Sequence, residues 1–208
     1  MNDDDDAKEI KTILVGMSGT GKTNIINALT GQKFDSNNFS TTTSSFVDKF
    51  MTVNNKKYRL EIWDTAGQEK FRSLTRIFIK DSKIVIFVYD ITTKKSFEEV
   101  DYWVGSVREI LGNKAVFGLA GNKKDLFQNE EVEEEEGEKK AQEIGALFKL
   151  TSAKTGAGIN DFMQSLLEEY IKKNESNGKN AKEDEEAKGQ RLDSSIDQNK
   201  IKKKSKCC

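Results

Sequence analysis

The chain has 208 residues and a mass of 23.5 kDa, room for one domain of ordinary size plus a tail. Histidine is absent, which excludes a His-based triad, an imidazole metal ligand and a His pH switch; the only cysteines, Cys207 and Cys208, end the chain, which excludes a disulfide or Cys-built zinc site in the fold. With 34 basic against 35 acidic side chains the net charge is -1, so global charge favours no partner and gives nucleic acid no support. No apolar run approaches the ~18 residues of a membrane span, and the acidic start Asp3–Asp6 does not resemble a leader, so the expectation is a cytosolic protein.

Residues 1–7 read as a disordered acidic start. From there to residue 173, apolar strand-like runs alternate with helical stretches, which predicts an α/β fold with a six-stranded, mainly parallel sheet, one antiparallel edge strand and about five flanking helices. Strands are expected at Ile10–Val15, Phe46–Val53, Tyr58–Trp63, Ile84–Asp90, Ala115–Ala120 and Phe148–Leu150. Asn54-Asn55 predicts a tight hairpin between the second and third. Helices are expected at about 22–31, 68–80, 96–111, 134–146 and 159–173. In the last, Ile159, Phe162, Met163, Leu166, Leu167 and Tyr170 recur at helical spacing as a core-facing stripe. Glu133–Glu136 reads as a solvated helix face. Residues 174–208 are polar, too poor in apolar side chains to offset the entropy of ordering, and read as a flexible tether.

The first strand runs into Gly16-Met17-Ser18-Gly19-Thr20-Gly21-Lys22-Thr23, which meets the P-loop pattern with a strand before it and a helix after it. Glycines at 16, 19 and 21 let the backbone turn so that N–H groups from Ser18 to Asn24 converge on phosphate oxygens at a helix N-terminus. Lys22 would bridge the terminal phosphates and the Thr23 hydroxyl would ligate magnesium. Asp64, in Asp64-Thr65-Ala66-Gly67-Gln68, closes the third strand where it can hold the same ion through water, and the Gly67 N–H can reach the γ-phosphate.

Base choice rests on Asn122-Lys123-Lys124-Asp125, after the fifth strand. The Asp125 carboxylate only accepts hydrogen bonds, which suits the adjacent N–H donors of guanine, whereas adenine would set a lone pair against it. A buried mismatch of that kind rejects a base by orders of magnitude, so GTP is expected over ATP. Ser152-Ala153-Lys154, after the last strand, is expected to add a backbone contact to the base.

These motifs, in this order and spacing, resemble the Ras superfamily of small GTPases and, within it, the Rab family, over roughly residues 8–172. The run from Leu60 through Trp63-Asp64-Thr65-Ala66-Gly67-Gln68-Glu69-Lys70-Phe71-Arg72 to Leu74 is similar to the Rab switch II signature; Ser18, Val88-Tyr89-Asp90-Ile91-Thr92 and the terminal cysteine pair also resemble Rabs. The resemblance implies that Phe34 packs against guanine and that Thr41 is the switch I magnesium ligand. The stretch Thr41-Thr42-Thr43-Ser44-Ser45-Phe46 departs from the family pattern, with Thr43 where Rabs usually carry glycine.

Gln68 cannot act as a base at neutral pH, but its amide can donate and accept and so orient the attacking water. With no evident arginine finger, turnover is expected on the order of 10⁻⁴ to 10⁻² per second until an activating protein intervenes. Bound GTP would order about residues 35–45 and 64–76 for effectors, with Phe46, Trp63, Phe71, Leu74 and Phe78 contributing apolar surface. The resemblance further implies an exchange factor, a prenylation escort, a dissociation inhibitor and a monomeric switch that cycles between cytosol and the cytoplasmic face of intracellular membranes, with a weak Golgi-type signal in Phe78-Ile79-Lys80-Asp81-Ser82. It also implies lipid on Cys207 and Cys208, where Lys202, Lys203, Lys204 and Lys206 would add electrostatic attraction. Competing readings are a nucleotide-bound scaffold with little hydrolysis and an ATP-dependent P-loop enzyme.

Overall fold

The computed structural model describes residues 7–34, 45–65 and 72–175. Among them are six strands: β1 Lys8–Val15, β2 Ser45–Val53, β3 Lys56–Asp64, β4 Ile84–Asp90, β5 Val116–Asn122 and β6 Ala146–Leu150. They form one sheet in the order β2-β3-β1-β4-β5-β6. β4 and β5 are buried at every position, as strands covered on both faces must be. β3 alternates buried and half-buried residues because one of its faces is open. Only β2 runs antiparallel; it joins β3 through Asn54 and Asn55, both at positive φ, the conformation a two-residue hairpin turn requires.

The helices are α1 Lys22–Leu29, α2 Arg72–Ile79, α3 Lys94–Glu98, α4 Val100–Leu111, α5 Glu134–Ile144 and α6 over residues 159–175. α1 buries Lys22, Ile25, Ile26 and Leu29, and α4 buries Val100, Trp103, Val104 and Val107, the spacing of a single helical face. The α6 stripe from Ile159 to Tyr170 is buried as expected. No described helix is long and apolar enough to cross a membrane.

Four features differ from the sequence pattern. The helix expected at 96–111 is two helices meeting at Glu99, whose ψ of -12° departs from α-helical geometry, and a short 3₁₀ helix, Lys124–Asn129, is added; the helix count therefore exceeds five. α5 stops at Ile144, because Gly145 adopts φ 66° and its N–H returns to the Gln142 carbonyl, so β6 starts at Ala146, two residues before the expected strand. The acidic run is more than a solvated face. Glu133 caps α5, its side chain accepting from the Glu136 backbone, while the Glu136 carboxylate accepts from the Glu133 N–H and pairs with Lys94.

Candidate nucleotide-binding site

The sheet order places β1 between β3 and β4, with the chain built outward on both sides, and ligands of such folds sit at the carboxyl ends of the strands beside that reversal. Val15 ends β1, Asp64 ends β3, Asp90 ends β4 and Asn122 ends β5. The motifs far apart in sequence thus converge on one edge.

At the phosphate end, Gly16 lies against β4 so closely that a Cβ there would overlap the Val88 carbonyl, and a Cβ on Gly21 would overlap the Asn122 side-chain amide. Gly21, at φ 94°, is also the residue that opens α1, and no carboxylate occupies the first turn to offset its positive end. Lys22 folds back under the loop. Its Nζ donates to the Gly16 and Met17 carbonyls at 2.8 and 2.9 Å, and the side chain is 5% exposed. Burial lowers its pKa from 10.5 to about 8, partly opposed by Asp64 and Glu99. The Thr20 hydroxyl donates to the same Met17 carbonyl at 3.0 Å. Ser18, Gly19 and Asn24 complete the stretch from loop to helix.

The Thr23 hydroxyl donates to Asp64 Oδ2 at 2.7 Å across 41 residues of sequence. Two oxygen donors from β3 and α1 therefore already meet beside Lys22, and an all-oxygen pair of this kind fits magnesium shared with phosphate oxygens. Thr65 fixes the end of β3 by donating its hydroxyl to the Leu14 carbonyl at 2.6 Å. The remaining expected ligand, Thr41, and the expected water-orienting Gln68, with Gly67, lie outside the described residues, as do Phe71 and the lipidation candidates Cys207 and Cys208.

At the base end, Asn122 is buried and occupied as a brace. Its Nδ2 donates to the Thr20 carbonyl at 2.8 Å, and its Oδ1 accepts from the Ala153 N–H at 3.2 Å and the Thr151 hydroxyl at 3.3 Å. Within Ser152-Ala153-Lys154, the stretch expected to contact the base through its backbone, the Ala153 N–H holds Asn122, and Asn122 ties the two ends of the site together. Asp125 accepts from the Ser152 hydroxyl at 2.5 Å on Oδ1, with Lys154 Nζ at 4.0 Å from Oδ2. Ser152 therefore orients the carboxylate while leaving acceptor capacity on both oxygens. Phe34, 41% exposed, follows α1 at the end of its described segment.

Asp90, quoted above only within the Rab-like stretch Val88–Thr92 and given no role there, and Thr151 take part in this network. For Asp90 the legible signal is a carboxylate closing an apolar strand just before Thr92 and Thr93, the pattern of a side chain that caps a turn. Lys123, between Asn122 and Asp125, has φ 69°, and its Nζ lies 2.6 Å from Asp90 Oδ2.

A cradle for phosphates, a cation-competent oxygen pair and an oriented carboxylate thus share one sheet edge. The model of the Ras family matches residues 11–172, from within β1 to within α6, and the chain belongs to the Ras family of small GTPases.

Proposed function

We propose that the protein is a Rab-type GTP/GDP switch of membrane trafficking. Beyond the family, the observation that supports this is an apolar strip on the open face of the β2–β3 hairpin. Phe46, 50% exposed, meets Trp63 with ring centroids 5.0 Å apart, Trp63 meets Phe78 of α2 at 5.2 Å, and Ile77 beside it is exposed. Three aromatic rings held together at the surface, next to the strand that ends in Asp64, suit a docking site whose accessibility depends on the nucleotide.

In this reading the loop N–H groups and Lys22 hold the β- and γ-phosphates, and Asp125, oriented by Ser152, reads the guanine edge with Asn122 bracing the pocket. Bound magnesium, held by Thr23 with Thr41 and Asp64, would offset charge on the phosphate oxygens. Gln68 orients the water for in-line attack, and an activating protein supplies a cationic group, the sequence offering no evident arginine finger. The γ-phosphate engages Thr41 and Gly67, and its loss releases both segments for exchange factors and the dissociation inhibitor to act upon. Lipid on Cys207 and Cys208, aided by the nearby lysines at about 1 kcal/mol each, holds the switch on the cytoplasmic face of a Golgi or endosomal membrane.

Single-turnover hydrolysis of GTP, alone and with an activating fraction from cells, tests the switch. Slow release that the fraction accelerates, and that Gln68→Leu abolishes, supports it; no phosphate release in either condition would favour the scaffold reading.

A further inference from the structure

Asp90 is 5% exposed at the end of β4, directly opposite Asn122 in the β4–β5 register. A buried carboxylate needs compensating partners, and this one has four. Oδ1 accepts from the Thr92 N–H at 2.9 Å and the Thr92 hydroxyl at 2.8 Å; Oδ2 lies 3.4 Å from the Thr93 hydroxyl and 2.6 Å from Lys123 Nζ. The neutral turn donors fix the position of the carboxylate, and Lys123 alone brings opposite charge to it among the contacts described.

Lys123 is constrained at its other end too. Its backbone takes φ 69°, a left-handed conformation unfavourable to a side chain with a Cβ, and the following Lys124 N–H is held by the Thr151 carbonyl at 3.0 Å. A lysine stem pinned at Cα and at Nζ loses the rotamer freedom that a surface lysine ordinarily keeps. Such a stem, carried between Asn122 and Asp125 in the chain, can present a fixed apolar edge.

We propose that Asp90 is a positioning residue for guanine-nucleotide binding, acting through Lys123 by holding its stem in place as part of the wall of the base pocket. The inference rests on the base-site reading above. The entropy of ordering Lys123 is met during folding instead of on binding, so the pocket is preorganised for the purine.

The test is a double-mutant cycle read as dissociation of a fluorescent GDP analogue from the full chain in excess EDTA. Asp90→Asn retains a carbonyl to cap Thr92 but removes the charge that holds Lys123; Lys123→Met keeps an apolar stem and removes the ammonium. Each is expected to speed dissociation about tenfold, the range of one charge-assisted hydrogen bond, and the double variant by less than about twofold beyond Lys123→Met alone. A purely structural role for Asp90 would make the two effects multiply, and that result, or an unchanged rate in Asp90→Asn, overturns the proposal. If the unmodified chain takes up no GDP analogue, the base-site reading itself fails; weakened binding in Lys123→Met with an unaffected Asp90→Asn would leave that reading standing and reject Asp90 alone.

Discussion

Replacing Lys22 with methionine separates what the P-loop lysine does for binding from what it costs the fold. The ammonium is buried under the loop and its pKa is lowered to about 8 against 10.5, chiefly by desolvation. At about 1.4 kcal/mol per pH unit, holding it charged in the nucleotide-free protein costs about 3 kcal/mol. Lys22→Met removes that cost but strips the Gly16 and Met17 carbonyls of their donor, at about 1 kcal/mol each. Near pH 7 the stripped variant should therefore unfold about 1 kcal/mol less readily than the parent, while its nucleotide affinity falls on the order of 100-fold through loss of the phosphate contact. Between pH 8 and 10.5 the unfolded parent binds more protons at Lys22 than the folded parent, so parental stability rises with pH through that window and is lowest below it. The variant lacks this contribution, and its advantage should shrink and reverse by about 3 kcal/mol in total. Urea denaturation of both nucleotide-stripped proteins at a series of pH values measures the difference, in which other titrating groups cancel. A difference independent of pH would refute the argument, because it would mean that Nζ is solvated.

Asp125→Asn should weaken GDP and strengthen xanthosine diphosphate, since the amide offers a donor where the carboxylate offered only acceptors; competition binding with the two nucleotides checks this, and an unchanged GDP affinity would contradict the base contact. Gly137→Ala should destabilise the protein even though alanine is ordinarily the better helix former by about 1 kcal/mol. A Cβ at that position would come within 2.5 Å of the buried Tyr89 hydroxyl and 2.6 Å of the Phe148 ring, an overpacking cost of about 1–3 kcal/mol visible as a lowered Tm. Phe46→Ala removes a half-exposed ring stacked on Trp63, so stability should drop by only about 1 kcal/mol while capture of GTP-dependent partners is lost; retention of every such partner would remove the aromatic strip from the docking surface.

The phosphate and base motifs are legible in the sequence because each works through local backbone geometry. Gly16 and Gly21 are required by close approaches to Val88 and Asn122, and the strand-to-helix context of the loop is written in short-range hydrophobic periodicity. The Asn54-Asn55 turn is legible for the same reason. What stays hidden is set by tertiary partners. That Asn122 spends its amide on Thr20, 102 residues away, and that the Ala153 N–H braces it, cannot be read from spacing, because an amide's two ends are chosen by what the fold brings near them. Asp90 looks like a strand terminus until β5 delivers Lys123. The acidic run before α5 resembles a solvated face, yet its first residue caps the helix and Glu136 pairs with Lys94, 42 residues away. The end of α5 at Gly145 is hidden by a helical pattern that continues past the residue whose left-handed conformation stops it.

The most direct measurement is isothermal titration of the nucleotide-stripped full chain with GDP and with ADP in the presence of magnesium. Recognition of guanine by Asp125 over a cradle built from residues 16–23 predicts saturable GDP binding at least about 1,000-fold tighter than ADP binding. Equal affinities would contradict the base assignment, and the absence of heat with either nucleotide would contradict the site itself.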